Sequence, residues 1–217
     1  MKSPLIIHPD TTLLLPPRLF ATVGSYAHLA SYGHIVVDMS MRFDKRRKDT
    51  HRYTIASTHG PMDLTVPIMK PAHSSEANWT DIKVSTHGDW WNLHLTALES
   101  AYGRTPWFEY YIDSYLPLFR RRIPGEEDNL CDLIEEADRI THRHLGLETE
   151  LTYRRGNSPL PAEKTYDARR EEQPSSSLPY WQIRAAQLGF LPDMSILDLI
   201  FNCGPESPLV LQKIIKD

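Results

Sequence analysis

The chain has 217 residues, 41% of them hydrophobic, which suits the core of one larger domain. A formal charge of −4, from 24 lysines and arginines against 28 aspartates and glutamates, argues against a general nucleic-acid binder but leaves room for a local basic groove. Two distant cysteines, Cys131 and Cys203, form no CxxC pair and fit a reduced cytoplasmic chain, and no apolar run approaches the about 20 residues that span a bilayer.

Pro4 to His8 reads as a short first strand whose apolar part is too short for a signal peptide. Leu13 to Pro17 reads as a turn, and Pro17 starts a helix over Arg18 to Ala30. Gly24 weakens that helix and Gly33 closes it. His34 to Asp38 is a buried strand ending in an acid, so these pieces make a β-α-β unit with a parallel sheet. Met39 to His51 is a polar loop with the basic run Lys45-Arg-Arg-Lys48. Two strands, His51 to Thr58 and Met62 to Ile68, flank the turn His59-Gly60-Pro61. Trp79 to Ser85 alternates as a further strand, with Ile82 and Val84 on one side and Asp81 and Lys83 on the other.

From Asp89 the chain becomes mainly helical. Asp89 caps a helix through Tyr102, Pro106 starts a second, and Asn129 or Asp128 caps a third over Leu130 to Leu145, ended by Gly146. Leu147 to Tyr153 adds a strand. Residues 158–177, charged and rich in Pro and Ser, read as an exposed loop. Tyr180 to Leu188 and Leu209 to Ile215 are helical, with a short element around Ile196 to Ile200. The fold expected is α/β, with a βαβ start, a small mixed sheet and a mainly helical second half, in one domain over 1–217; the alternative is α+β.

Two clusters carry candidate chemistry. In the first, His94, Ala97, Leu98 and Ala101 share one helical stripe, while Glu99 lies about 140° around from His94. His94 reads either as an acid–base group or as a hydrogen-bonded core histidine. Arg104, at a Gly103/Pro106 corner, suits a carboxylate or phosphate, or simply a solvated helix end. The second cluster begins at Asp38, with Arg42, Lys45, Arg46, Arg47, Lys48 and Arg52 within fourteen residues. Ligands of open α/β folds gather beyond the carboxyl ends of strands, and these cations suit an anionic substrate such as a nucleotide-linked sugar or an acyl thioester. The plainer reading is a solvated charge run.

There is no GxGxxG, Walker or GxSxG motif, so no cofactor is assigned. The ten histidines are scattered; His142 and His144 point about 200° apart on a helix, and no metal site is read. Cys203 as a nucleophile would need a base such as His94 or His8, and a buried or incidental thiol is the favoured reading.

Several segments follow in a characteristic order: Ile6-Ile-His8-Pro9 through Pro16-Pro17 and Phe20; Val36-Val-Asp38; Arg42-Phe-Asp-Lys45 with His51-Arg52-Tyr-Thr-Ile55; and Gly60 with Leu64-Thr-Val-Pro67. Trp90, His94, Glu99-Ser-Ala-Tyr102 and Thr105-Pro-Trp-Phe108 with Tyr110-Tyr111 complete the set. The set resembles the WbqC-like protein family. Ser195-Ile-Leu-Asp198-Leu-Ile-Phe-Asn202 with Gly204-Pro205 is similar to the C-terminal block of a subset. The resemblance implies surface-polysaccharide, O-antigen or lipopolysaccharide biosynthesis, with acyl or aminoacyl transfer to an activated amino sugar as the enzymatic expectation. In that picture His94 deprotonates the attacking amine, Tyr102 orients the reacting group and Glu99 flanks them. His8, Asp38, Arg42, Lys45, Arg52 and Arg104 would bind substrate. The alternative is a non-enzymatic sugar-nucleotide-binding or scaffold protein that holds a pathway partner enzyme through the same arginine–aromatic surface.

Overall fold

A run of leucines and a run of β-branched residues pair to start the fold. In the computed structural model, which describes residues 5–216 except 70, 72, 74, 75, 121–127, 157, 158 and 160–163, β1 (His8–Leu15) and β2 (Tyr32–Asp38) lie parallel, joined through α1 (Val23–Ala30). Leu13, Leu14 and Ile35 are almost completely buried, as expected of parallel strands covered on both faces. β3 (Arg52–Ser57) and β4 (Gly60–Thr65) form an antiparallel hairpin with Arg52 opposite Thr65 and Thr54 opposite Asp63. β5 (Glu150–Arg154) joins the free edge of β2, and β6 (Thr165–Asp167) joins the far edge of β1. The four-stranded sheet therefore has the order β5-β2-β1-β6, all parallel.

The helices are α2 (Trp90–Tyr102), α3 (Phe108–Tyr115), α4 (Leu130–Leu145), α5 (Ala185–Leu188), α6 (Ile196–Cys203) and α7 (Ser207–Lys216). The boundaries of α4 follow from local chemistry. Asn129 accepts the Cys131 N–H at 2.8 Å, a cap worth about 1 kcal/mol, and Gly146 turns the chain out at φ +57°. Every residue of α6 is buried, so it runs through the core rather than over it. Trp79, Tyr102, Tyr115 and Phe201 are the largest fully buried side chains.

The α/β class and the βαβ start hold, but several local expectations change. Leu13 to Leu15 continue β1 instead of turning, because Leu13 and Leu14 bury against the core; the strand ends at Pro16-Pro17, which lack an N–H for the ladder. The expected Pro4–His8 strand falls partly outside the described residues. The first helix starts at Val23 rather than Arg18: Phe20 sits at φ +46°, outside helical geometry, and Thr22 Oγ1 caps by accepting the Ser25 N–H at 3.2 Å. Gly33 lies inside β2, where a Cβ would come within 2.4 Å of Pro9 O. Trp79 to Ser85 is not a strand. It is a 3-10 turn, Trp79–Asp81, followed by isolated bridges Ile68↔Val84 and Lys83↔Asn129, although Ile82 and Val84 are buried as the alternation required. The sheet is not mixed, since the parallel and antiparallel strands belong to separate sheets. The expected loop 158–177, of which 158 and 160–163 lie outside the described residues, contributes β6.

Candidate functional site

The connection from β1 runs through α1 to β2, whereas β6 lies on the other side of β1. At the carboxyl ends of the strands a cleft is lined by the loop after β2 and the segment after β6, the ordinary place for a ligand in an open parallel sheet. The rim of this cleft carries Arg46, Arg47, Lys48, Arg170, Glu171 and Glu172, and Gln173 lines both the rim and the inner end. Its inner end carries Phe20, Arg52, Tyr53, Thr54, Asp63 and Ser195, with Thr22, Asp49 and Asp193 between the two.

Each wall has a physical anchor. Arg18, buried beneath the cleft, donates from Nε to Asp49 Oδ2 at 2.9 Å and from Nη2 to Glu171 O at 2.9 Å, tying the loop after β2 to the loop after β6. Arg47 reinforces the tie through Arg169 O at 2.6 Å and Glu171 O at 3.2 Å. Gln173 Oε1 accepts from Thr22 N–H at 3.0 Å and from Ser25 Oγ at 3.1 Å. Gly24 lets this segment approach α1, since a Cβ there would stand 2.4 Å from Pro174 O. Ser195 is held by its N–H to Thr54 O at 2.9 Å and bridges to Thr22.

The hairpin divides two environments. On its cleft face Arg52 Nε donates to Thr65 Oγ1 at 2.9 Å, Arg52 Nη1 pairs with Asp63 at 3.3 Å, and Thr54 Oγ1 donates to Asp63 at 2.8 Å. Behind it stands α2. His94, 3% exposed, meets Tyr53 Oη through Nδ1 at 3.1 Å and Thr65 O through Nε2 at 3.2 Å. A carbonyl only accepts, so Nε2 carries the proton and Nδ1 accepts from the phenol. The neutral ring satisfies both partners, and burial lowers its pKa from 6.5 to about 4. Tyr102 is fully buried; its hydroxyl accepts the Ala56 N–H at 3.0 Å and also bonds the Asp198 carboxylate. Asp198 further accepts from Tyr180 Oη at 2.5 Å, Gln182 Nε2 at 2.8 Å and Asn202 Nδ2 at 3.2 Å, while burial pushes its pKa upward.

Of the residues given catalytic or substrate-binding roles from sequence, Arg52 lines the cleft, and Arg46, Arg47 and Lys48 of the basic run stand at its rim. His94 and Tyr102 lie one layer behind it, and Glu99 and Arg104 are exposed on the α2–α3 corner. Asp38, 1% exposed, is committed elsewhere: both oxygens accept from arginines, Arg154 and Arg169, at 2.7 Å each, which clamps the end of β2 to β5 and to the segment after β6. Arg42 and Lys45 are exposed outside the cleft lining, and His8 is exposed with its ring 4.8 Å from that of Tyr32. Lys48, Arg46 and Arg47 belong to the basic run legible in the sequence. Arg170, Gln173 and Asp193 carry no motif, and Ser195 only opens the C-terminal block with no role assigned to it; their return to the strand ends is what reveals them.

Cys131 and Cys203 are free and buried; burial raises the Cys203 thiol to about 11, and its Sγ contacts Trp181 O at 3.7 Å. Among the described residues no group of three or more His, Cys, Asp or Glu is placed to hold a metal ion, and no helix is long and apolar enough to cross a membrane.

Among known proteins, the model of the WbqC-like protein family matches residues 17–170, which include the loop after β2, the hairpin and α2. No curated protein and no solved structure matches the chain.

Proposed function

The chain belongs to the WbqC-like protein family, and from that premise we propose that it is an acyl or aminoacyl transferase of surface-polysaccharide or O-antigen biosynthesis that takes an activated amino sugar in the cleft. The family association supports the general role in polysaccharide biosynthesis. The observation that carries the reading is the cleft itself, at the carboxyl ends of β1 and β6 with Arg46, Arg47, Lys48 and Arg170 at its rim. Guanidinium and ammonium groups so placed suit the phosphates of a nucleotide-linked sugar. In this reading Arg52 faces substrate, whereas His94 and Tyr102 are positioning residues. His94 holds the Tyr53 ring against the cleft, and Tyr102 fixes the Ala56 end of β3.

A non-enzymatic sugar-nucleotide-binding protein is the second reading. It is favoured by one observation: His94, the acid–base candidate, is sealed behind Tyr53. Incubating the chain with candidate sugar nucleotides and acyl thioesters, with mass-spectrometric readout, separates the two. A new acylated sugar supports the transferase; retention of a sugar nucleotide without product supports the binding protein. Absence of both removes the cleft as a sugar-nucleotide site.

A further inference from the structure

Cations and carboxylates both line the cleft: toward the rim Arg46, Arg47, Lys48 and Arg170 stand among Asp49, Glu171, Glu172 and Asp193, and the inner end holds a single cation. There Arg52 faces three carboxylates, Asp49, Asp63 and Asp193. Two are already matched, Asp49 by Arg18 at 2.9 Å and Asp63 by Arg52 at 3.3 Å. Asp193 receives only neutral hydrogen bonds, from Ser175 Oγ at 2.9 Å and Ser176 N–H at 3.3 Å, and has no cationic partner among the described residues.

A second, independent feature lies two residues on. Ser195 lines the same space at 1% exposure, and its Oγ has no hydrogen-bond partner among the described residues. Ser195 is the N-cap of α6, where a serine hydroxyl ordinarily accepts a first-turn N–H, yet it makes no such bond. A buried hydroxyl left unpaired is unfavourable until a ligand satisfies it. The backbone also departs from ordinary geometry at this place: Asp193 has φ +58° and Phe20 has φ +46°. Such conformations concentrate at ligand sites, and a bulky side chain rarely adopts one.

We infer that the inner end of the cleft is a subsite for a protonated amine borne on a polyol. Asp193 pairs with the ammonium, Ser195 Oγ bonds an adjacent hydroxyl, and the cations toward the rim hold a phosphate. The inference rests on the reading of the cleft as an activated-sugar site and adds where the amine sits. An acyl thioester or a plain nucleotide brings no cation to that end.

Calorimetric titration of the full chain with glucosamine 1-phosphate, glucose 1-phosphate and N-acetylglucosamine 1-phosphate tests it, with UDP as a probe of the rim alone. Glucosamine 1-phosphate is expected to bind about tenfold more tightly than the other two sugars, the scale of one charge-assisted hydrogen bond. Asp193→Asn should bring the three sugars to a common affinity; asparagine tolerates the left-handed backbone, so the fold is kept. Ser195→Ala should weaken all three sugar phosphates and leave UDP unchanged. Equal affinities in the unaltered protein, or a preference that survives Asp193→Asn, overturn the amine subsite while phosphate binding stands. Failure of all four probes overturns the wider reading of the cleft, and the subsite with it.

Discussion

The two faces of the β3–β4 hairpin show how the same strands serve opposite ends. Toward α2, Tyr53, Ala56 and Thr65 O meet His94 and the Tyr102 hydroxyl, with Asp198 beyond, in a dry network where each of these polar groups has a fixed partner. Toward the cleft, Arg52, Thr54 and Asp63 bond one another but stay partly open to solvent. Buried polar groups are costly to leave unpaired, so the first face is built for rigidity. The second keeps charge available to a ligand. A concentration of His, Tyr and Glu on one helix is thus weaker evidence for a reaction centre than the position of a strand end.

The strongest test of this division is Asp198→Ala. It strands the hydroxyl donors of Tyr102 and Tyr180 in the core and removes one bond each from Gln182 and Asn202, and about 4 kcal/mol of unfolding free energy should be lost in urea denaturation. A loss under about 1 kcal/mol would mean that the dry face is not the rigid one.

His94→Gln should cost about 2 kcal/mol at neutral pH, since two buried hydrogen bonds are disturbed. It should also change the pH profile. The folded pKa of His94 lies below its ordinary 6.5, at about 4, so the unfolded chain takes the proton first as pH falls. Its stabilising effect is complete above pH 6.5 and is lost between 6.5 and about 4. His142, likewise lowered to about 4, acts in the same direction, so only part of the acid slope should vanish in the variant. Asp138, which accepts from Tyr26 Oη at 2.9 Å, has the opposite sign: burial raises it from 3.8 to about 7, and its effect is lost as pH rises through 7. Thermal melts of His94→Gln and Asp138→Asn from pH 4 to 8 should therefore diverge from the unaltered protein in opposite senses.

On the open face, the double substitution of Lys48 and Arg170 by Ala should leave stability within about 0.5 kcal/mol and weaken UDP binding about tenfold. A stability loss larger than the loss of binding would make these residues structural. The smallest effect is expected from Glu99→Gln with Arg104→Ala. Both side chains are exposed away from the cleft lining, so stability should stay within about 0.5 kcal/mol and calorimetry should show affinity unchanged. A clear loss of affinity would restore the α2–α3 corner as part of the site.

The sequence by itself determined features whose causes are local. Asn129 and Gly146 bracket α4 because capping and left-handed geometry act within a few residues. The Gly60 turn between two β-rich runs fixes the hairpin, and aliphatic runs around α1 fix the βαβ unit. Arg52 was legible because it follows directly on the basic loop. Tertiary structure alone decided the rest. β6 has only three residues and becomes a strand because Leu13 and Leu14 offer an edge about 150 residues earlier in the chain. Asp38 looked available until Arg154 and Arg169, 116 and 131 residues downstream, closed on it. Asp193 and Ser195 reach the cleft because α6 threads the core and its N-terminus bridges to Thr22. Such partners are chosen by packing between distant segments, which no local pattern encodes.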